Sequence, residues 1–204
     1  MTYTIDVAAY LSGASKDQLQ RWARNEILVP EINPERPKIY SFRDIVALRT
    51  IAKLRVNNSL QRIRSAIARL SDYDLTEHLS EYKFATDGKS VKVFDEDNAH
   101  FLNLSKNPGQ WDLVNLEDIY APFMNMQGRE VPDLRNPAQG IEINPQRLSG
   151  TPTIEDSRVP YDLIVDLFHD DMSAEEIAEE YPTISLESVG NAIAFNKSIE
   201  ELAA

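Results

Sequence analysis

Residues 3–24 read YTIDVAAYLSGASKDQLQRWAR, and this stretch decides the fold of the N-terminal part of the chain. Apolar side chains recur at helical spacing in its first half, at Ile5, Ala8, Ala9 and Leu11. The sequence Ser-Gly-Ala at residues 12–14 then interrupts the pattern, and Ser15 with Gln18 predicts a capping box that begins a second helix. Two short helices joined by a glycine-containing turn are typical of a helix-turn-helix.

A proline-rich segment follows the second helix and predicts an extended, basic loop or a short hairpin. Residues 29–40 contain three prolines and two basic residues, and prolines at this density are incompatible with a helix interior. Ser41 with Asp44, and later Ser59, begin two further helices with apolar periodicity. The predicted order over residues 1–70 is therefore helix, turn, helix, wing, helix, helix.

Charge is divided unevenly along the chain. The first 70 residues carry twelve lysines and arginines against six acids, a net charge of +6, whereas the remainder carries nine against 27, a net charge of −18. A polyanion such as DNA attracts the basic part, residues 1–70, and repels the acidic part, residues 71–204. The basic part is therefore expected to bind DNA, and the acidic part must serve another purpose. A helical interaction module with a solvated basic face is the alternative for the basic part.

Four segments of the N-terminal part resemble the winged helix-turn-helix of the MerR family. They are YTIDVAAYLSGAS at residues 3–15, LQRW at 19–22, KIYSFRD at 38–44 and SLQRIR at 59–64. The resemblance covers about a third of the chain, and it implies that the second helix enters the major groove while the wing contacts the DNA backbone. The side chains predicted to contact DNA are Lys16, Gln18, Gln20, Arg21, Arg24, Arg36, Lys38, Tyr40 and Arg43.

Residues 71–136 form the connecting segment of the predicted domain division, and their pattern is mixed. Residues 83–94 predict a β-hairpin because an Asp-Gly pair favours its turn. Residues 95–110 are polar and predict a loop, whereas residues 112–123 predict a strand that runs into a short helix. The proline-containing residues 124–140 predict a linker.

Residues 137–204 predict a small C-terminal domain of three helices, preceded by the short strand IEI at residues 141–143. Capping signals at Ser173 and Ser185 begin the second and third of these helices. With a winged helix-turn-helix at residues 1–70 and a hairpin in the middle segment, the predicted fold class is α+β, mainly α.

The C-terminal part resembles a small bacterial domain of antitoxins that accompany PIN-type ribonuclease toxins. The resemblance rests on the segments INP, GTPTI, RVP, MSAEEIAEEYP and SLESV within residues 141–195. Combined with the MerR-like part, it resembles one VapB-type antitoxin architecture. By implication the basic part binds the operator of its own operon and represses it, while the acidic part forms a homodimer and holds the toxin.

Two sets of interface residues are predicted for these partners. The dimerisation candidates are Ile141, Ile143, Val189 and Ile193, with ordinary core packing as an equally weighted alternative. The toxin-binding candidates are Arg129 and Arg135, which could pair with the carboxylates that hold a metal in a PIN-type nuclease. Coverage of a basic RNA groove by the acidic surface is the favoured alternative to such an arginine plug.

No catalytic centre, metal site or cofactor site is predicted. The chain has no cysteine, which excludes disulfides and thiolate chemistry, and its three histidines are scattered without the spacing of a catalytic motif. The acids at 95–97 with His100 are interpreted as a solvated loop. Since no apolar run reaches about 18 residues and no secretory signal is found, a cytoplasmic protein is expected.

The alternative function is a MerR-like regulator that senses a small molecule through its acidic part. A neighbouring gene for a small nuclease favours the antitoxin hypothesis, whereas a gene for an enzyme or a transporter favours the sensor.

Overall fold

The fold is described from a computed structural model that covers residues 3–73, 75, 77–86, 91–95, 100–104, 112–114 and 116–203. Its N-terminal part consists of β1 (Tyr3–Thr4), α1 (Ile5–Ser12), α2 (Lys16–Arg24), β2 (Ile39–Tyr40), α3 (Phe42–Asn57) and α4 (Leu60–Ala68). Strands β1 and β2 pair antiparallel at the base of the wing. The predicted order of helix, turn, helix, wing, helix, helix is confirmed.

The turn between α1 and α2 depends on Gly13. Its φ of +78° lies in the left-handed region, which glycine adopts at little cost. A Cβ atom at this position would also lie 2.3 Å from the Cγ2 atom of Val131. The predicted capping box begins α2: the Ser15 N–H donates to Gln18 Oε1 at 2.8 Å and the Gln18 N–H donates to Ser15 Oγ at 3.2 Å.

The middle of the chain forms a four-stranded antiparallel sheet next to two short 3-10 helices, Ser71–Tyr73 and Leu79–Glu81. The strands are β3 (Phe84–Thr86), β4 (Val91–Asp95), β5 (His100–Asn103) and β6 (Asp112–Val114), in the order β5-β4-β3-β6. Phe84 pairs with Val93, which confirms the predicted hairpin, although its turn at 87–90 lies outside the described residues.

The prediction of a loop over residues 95–110 is wrong for 100–103. Strand β5 pairs with β4 along its length, with Phe94 opposite Phe101 and Val93 opposite Leu102. Two apolar residues within a polar stretch were enough for a strand, because β4 offered them an antiparallel partner. The candidate metal residues 96 and 97 lie outside the described residues.

The segment predicted as a linker is folded and packed. Helix α5 (Leu116–Tyr120) precedes this segment. The hairpin of β7 (Phe123–Met124) and β8 (Glu130–Val131) forms its first half. Val131 and Leu134 are fully buried, and β8 packs against α1. The Asn125 side chain donates to Gly13 O at 2.8 Å and accepts the N–H groups of residues 127 and 129 at 3.0 Å. The Asn125 side chain therefore satisfies backbone groups that have no partner in a helix or strand.

The C-terminal part has the predicted strand and three helices. Strands β9 (Ile141–Ile143) and β10 (Pro152–Ile154) pair antiparallel, followed by α6 (Tyr161–His169), α7 (Ala174–Glu180) and α8 (Leu186–Ala203). The capping box predicted at Ser173 is present, because its side chain and that of Glu176 exchange hydrogen bonds with each other's backbone N–H groups.

One core runs through all three parts of the chain. Tyr10 of α1 makes an edge-on ring contact with Phe195 of α8, with 5.6 Å between the ring centroids. The Tyr3 hydroxyl donates to Gly150 O, and the Phe42 ring lies against Gly150, where a Cβ atom would come within 2.7 Å of it. The division at residues 70 and 136 stays a prediction, and the packing crosses both positions.

Arg49 of α3 is the largest fully buried side chain of this core. Its Nε donates to Ile119 O at 2.7 Å, its Nη1 to Leu11 O at 2.5 Å, and its Nη2 to Tyr120 O at 3.2 Å and Ala121 O at 3.0 Å. These carbonyls belong to the C-terminal ends of α1 and α5, where the helix dipole is negative. Burial lowers the pKa of Arg49 to about 10, an effect opposed by Asp133, so the group stays charged at neutral pH.

The described chain is mainly helical with short antiparallel strand pairs, which confirms the predicted fold class. None of the helices in the described residues has the length and apolar character needed to cross a membrane.

Candidate nucleic-acid interface

Helix α2 presents a polar face to solvent because its other face is anchored in the core. Leu19, Trp22 and Ala23 are buried, whereas Gln20, Arg21 and Arg24 are exposed. The periodicity of the sequence predicted this division. The exposed face carries two arginines and one amide, which are the side-chain types that recognise phosphates and base edges.

The wing folds into a closed hairpin next to α2. Asn33 and Ile39 exchange backbone hydrogen bonds of 3.1 and 3.0 Å, and the Asn33 amide donates to Pro37 O at 2.8 Å. The Lys38 ammonium donates to Pro34 O within the same hairpin. These bonds hold the basic residues of the wing on a rigid loop.

An open groove of about 950 Å³ lies between α2 and the wing. The predicted residues that line it are Gln20, Arg24, Arg36 and Lys38. Arg36 is exposed and Lys38 is half-buried. The structure therefore brings together four residues that the sequence assigned to DNA contact from two separate segments.

Three other predicted contacts have partners within the chain. Lys16 pairs with Asp6 at 2.5 Å, and the Gln18 amide is used in the capping box. Arg43, at the start of α3, lies 3.8 Å from Glu31 and 3.5 Å from Glu81. Lys16 and Arg43 are accessible for phosphate contacts only by exchanging these partners, and the Gln18 amide has a structural role.

Tyr40 is wrongly predicted as a DNA contact. Its side chain is 1% exposed, because β2 pairs with β1 and turns Tyr40 toward the core beside Tyr3. Burial, together with the nearby Asp44, raises the pKa of the Tyr40 hydroxyl to about 12. Among the residues that the structure describes, this hydroxyl has no hydrogen-bond partner.

Replacing Tyr40 with phenylalanine is expected to leave operator affinity unchanged and to raise the free energy of unfolding by up to about 1 kcal/mol, because an unpaired buried hydroxyl is removed. Urea unfolding and operator titration measure the two quantities. Tyr3→Phe is the matched control: its hydroxyl donates to Gly150 O, so a loss of about 1 kcal/mol is expected. If the folded Tyr40→Phe variant binds the operator tenfold more weakly, Tyr40 contacts DNA after all.

The sequence did not identify the anchor at the base of the wing. Asp44 is fully buried, and its Oδ2 accepts the Ser41 N–H at 2.8 Å and the Glu31 N–H at 2.9 Å. His78 Nε2 lies 3.1 Å from Asp44 Oδ1. Only the bond to Ser41 follows from a local capping signal, since Glu31 and His78 are distant in sequence.

Within the part of the chain that the structure describes, Glu31, Asp44 and His78 are also a group that could hold a metal ion, because their donor atoms lie within 4.8 Å of one another. Both Asp44 oxygens already take part in hydrogen bonds. The arrangement therefore acts as a structural link between the wing, α3 and the middle segment.

The predicted dimerisation residues are core residues of the single chain. Ile141, Ile143 and Val189 are at most 1% exposed, and Ile193 is half-buried against the same core. The strand pair β9–β10 packs with α6 and α8. This packing buries apolar faces that the sequence predicted to lie in a dimer interface. Ile141, Ile143 and Val189 are therefore too buried to form an interface, as the alternative of ordinary core packing predicted, whereas the assignment of Ile193 stays a prediction.

The two predicted toxin-binding arginines lie on the packed segment, not on a flexible linker. Arg129 is half-buried, and its Nη2 donates to Ala9 O at 3.4 Å. Arg135 is exposed, with its guanidinium carbon 4.7 Å from the centroid of the Tyr120 ring.

The C-terminal part carries a dense acidic surface. Eleven carboxylate residues between positions 155 and 187 are exposed, and a single arginine, Arg158, interrupts them. The eleven residues are Glu155, Asp156, Asp162, Asp166, Asp170, Asp171, Glu175, Glu176, Glu179, Glu180 and Glu187. We refer to them as the acidic surface.

Comparison with known families places the two ends of the chain. Residues 3–70 match the family described as "MerR HTH family regulatory protein", so the N-terminal domain is a helix-turn-helix of the class found in DNA-binding regulators. Residues 141–196 match a family described as "Protein of unknown function (DUF433)". The protein thus combines a MerR-family helix-turn-helix domain with a C-terminal DUF433 domain.

A solved structure is similar to the chain. It is the X-ray crystal structure of Rv2018 from Mycobacterium tuberculosis, with 16% identity, a TM-score of 0.49, and coverage of 94% of this chain and 96% of that one. No curated protein matches the sequence.

Proposed function

We propose that this protein is a DNA-binding antitoxin without enzymatic activity, which represses its own operon and neutralises a PIN-type ribonuclease toxin. The observation that carries the proposal is the division of charge along the sequence, which the exposed residues of the fold retain. An exposed basic face on α2 and the wing lies at one end of the sequence, and the acidic surface lies at the other. A single-function DNA-binding protein has no use for a surface that DNA repels.

The DNA-binding part acts through α2 and the wing. Arg21 and Arg24 are exposed on α2 for entry into the major groove, and Arg36 is placed across the groove to contact the phosphate backbone. Helix-turn-helix proteins commonly read two half-sites about one helical turn, roughly 34 Å, apart. A homodimer on operator DNA is therefore part of the proposal, with an interface formed by surfaces other than the four core isoleucine and valine residues.

The acidic surface supports inhibition by coverage of the toxin. A ribonuclease binds a polyanion, so its substrate groove is expected to be basic, and the acidic surface presents complementary charge to it. Arg158 is the one arginine between the acidic residues of this surface, and it forms no ion pair among the described residues. Electrostatic complementarity of this kind accelerates association and excludes RNA from the same groove.

An arginine plug is the second route to inhibition, and the structure gives it less support. Half of Arg129 is buried against α1, and Arg135 stacks over Tyr120. Arg135 would have to leave the Tyr120 ring before pairing with carboxylates of the toxin, and Arg129 is less accessible to a second protein because it is half-buried. The acidic carboxylates are already exposed and need no such rearrangement.

The proposal predicts that a neighbouring gene encodes a nuclease, and it is tested through copurification with that nuclease and inhibition of its ribonuclease activity. Glu175→Lys combined with Glu179→Lys is expected to weaken inhibition at least tenfold, because two exposed charges on α7 are reversed. Arg129→Ala combined with Arg135→Ala is expected to inhibit fully. The matched control is Asp17→Lys with Glu35→Lys, which reverses two exposed acids outside the acidic surface.

Three results would contradict parts of this proposal. Full inhibition by the Glu175→Lys, Glu179→Lys variant would exclude inhibition through coverage by the acidic surface. If the Arg129→Ala, Arg135→Ala variant binds the toxin but does not inhibit it, the arginine plug is the mechanism. A stable monomer in light scattering at micromolar concentration would remove the homodimer. Failure of any neighbouring nuclease to copurify would favour the small-molecule sensor.

A further inference from the structure

A small cleft lies behind the helix-turn-helix, where three distant segments meet. Its volume is about 220 Å³, and it is lined by α1, by the turn into α2, by the β7–β8 hairpin and by the end of α8. The residues that matter for its chemistry are Asp6, Lys16 and Arg129, which are charged, and Ala9, Ala14 and Leu202, which are apolar.

We propose that this cleft binds a small monocarboxylic acid with an apolar body, and that Arg129 receives the carboxylate. Nothing in this inference depends on the toxin or on the antitoxin function. The cleft is below the range of about 300–1,000 Å³ that is usual for drug-sized ligands, so it suits a short or monocyclic acid.

The charge balance of the cleft favours an anion. Lys16 and Asp6 form an ion pair at 2.5 Å and cancel each other, so Arg129 leaves one unbalanced positive charge. Within the described residues, no carboxylate comes within ion-pair distance of Arg129. A neighbouring open groove shares Arg129 and Leu202 with the cleft and also contains Glu130, Asp133 and Glu201, whereas the only carboxylate that lines the cleft among the described residues is Asp6, which is paired with Lys16.

The hydrogen bonding of Arg129 leaves room for a ligand. Among the described residues its guanidinium makes one long bond, 3.4 Å from Nη2 to Ala9 O, although a guanidinium has five N–H donors. Desolvation disfavours a charge that has no partner, and burial lowers the pKa of Arg129. A carboxylate would accept two parallel N–H bonds and compensate for that burial.

The position of Arg129 is fixed before any ligand arrives. Asn125 Oδ1 accepts the backbone N–H of Arg129 at 3.0 Å, and the Asn125 amide is tied to Gly13 O at 2.8 Å. These bonds hold the backbone of Arg129 beside the turn of the helix-turn-helix, and preorganisation of this kind reduces the entropic cost of binding. Leu202 is exposed and receives the apolar body of the acid, next to the buried Ala9 and Ala14.

The probes are sodium benzoate and sodium hexanoate, titrated into the full chain by isothermal calorimetry in chloride-free buffer. At least one of them is expected to bind saturably with a Kd of about 1 mM or below. Benzamide and hexanamide, which keep the shape and lose the charge, should bind at least tenfold more weakly. Arg129→Gln should weaken binding of the acid at least tenfold, whereas Arg135→Gln, a change in the same segment outside the cleft, should leave it unaltered.

A second variant covers the case in which Arg129→Gln does not fold. Gln127 is exposed and lines the cleft, so Gln127→Trp is expected to fill the space without disturbing the core and to abolish binding. Absence of saturable binding by either acid up to about 10 mM would overturn the proposal. Binding that persists unchanged in the Arg129→Gln or Gln127→Trp variants would overturn it too, since the acid would then occupy another site.

Discussion

Replacing Arg49 with methionine is expected to lower the free energy of unfolding by about 3–5 kcal/mol, because several buried carbonyls lose their donors at once. Leu11 O, Ile119 O, Tyr120 O and Ala121 O all accept from this one guanidinium. A typical domain is stable by only about 5–15 kcal/mol, so the variant should lose much of its cooperative unfolding transition. Urea denaturation followed by circular dichroism measures the change.

Arg64→Met on α4 is the matched control, because its side chain is exposed, and its effect should stay within about 0.5 kcal/mol. Arg49→Lys retains the charge but not the fork of donors, so an intermediate loss is expected. A loss below about 1 kcal/mol in the methionine variant would mean that water replaces the guanidinium among these carbonyls.

Arg21→Ala combined with Arg24→Ala should weaken operator binding by about 30-fold or more. Each arginine that contacts a base edge contributes about 1–3 kcal/mol of discrimination, and two such arginines at the lower limit give this factor. If the arginines bind phosphates instead, the slope of log K against log salt should fall by about 0.9 for each phosphate that the protein no longer neutralises. Titration of a duplex from the promoter region of the gene, at several salt concentrations, distinguishes the two cases.

The charge-matched control is Arg64→Ala combined with Lys197→Ala, which removes two exposed positive charges away from α2 and the wing. It should bind the same duplex with little change. Unaltered binding by the Arg21 and Arg24 variant at every salt concentration, with the fold intact, would remove α2 from the interface and leave the wing as the DNA-binding element.

The ends of the helices could be predicted because the signals for them are local. The Ser15–Gln18, Ser41–Asp44 and Ser173–Glu176 pairs each satisfy backbone N–H groups within one turn of the chain. Such interactions depend on three or four consecutive residues, so they survive in any tertiary context. The same holds for the exposed face of α2, whose periodicity needs only one buried side.

Helix α3 shows where local reasoning stops. Nine consecutive residues from Asp44 to Ala52 are buried, so no polar stripe marks a solvent face, and Arg49 cannot be distinguished in sequence from a surface arginine. Its burial depends on the carbonyl ends of two helices, one of which lies about 70 residues further along the chain. The Tyr40 side chain similarly faces inward only because β2 pairs with β1.

By itself, the sequence determined the winged helix-turn-helix, the three C-terminal helices with their short strand, and the uneven charge of the two ends, since capping, periodicity and composition are properties of neighbouring residues. Tertiary structure decided that residues 124–140 fold against α1 with Val131 and Leu134 in the core, that Ile141, Ile143 and Val189 face inward, and that Arg129 lies in a cleft against α1. Burial and hydrogen-bond satisfaction depend on which distant segments meet. The sequence does not show which partner an apolar or basic residue contacts.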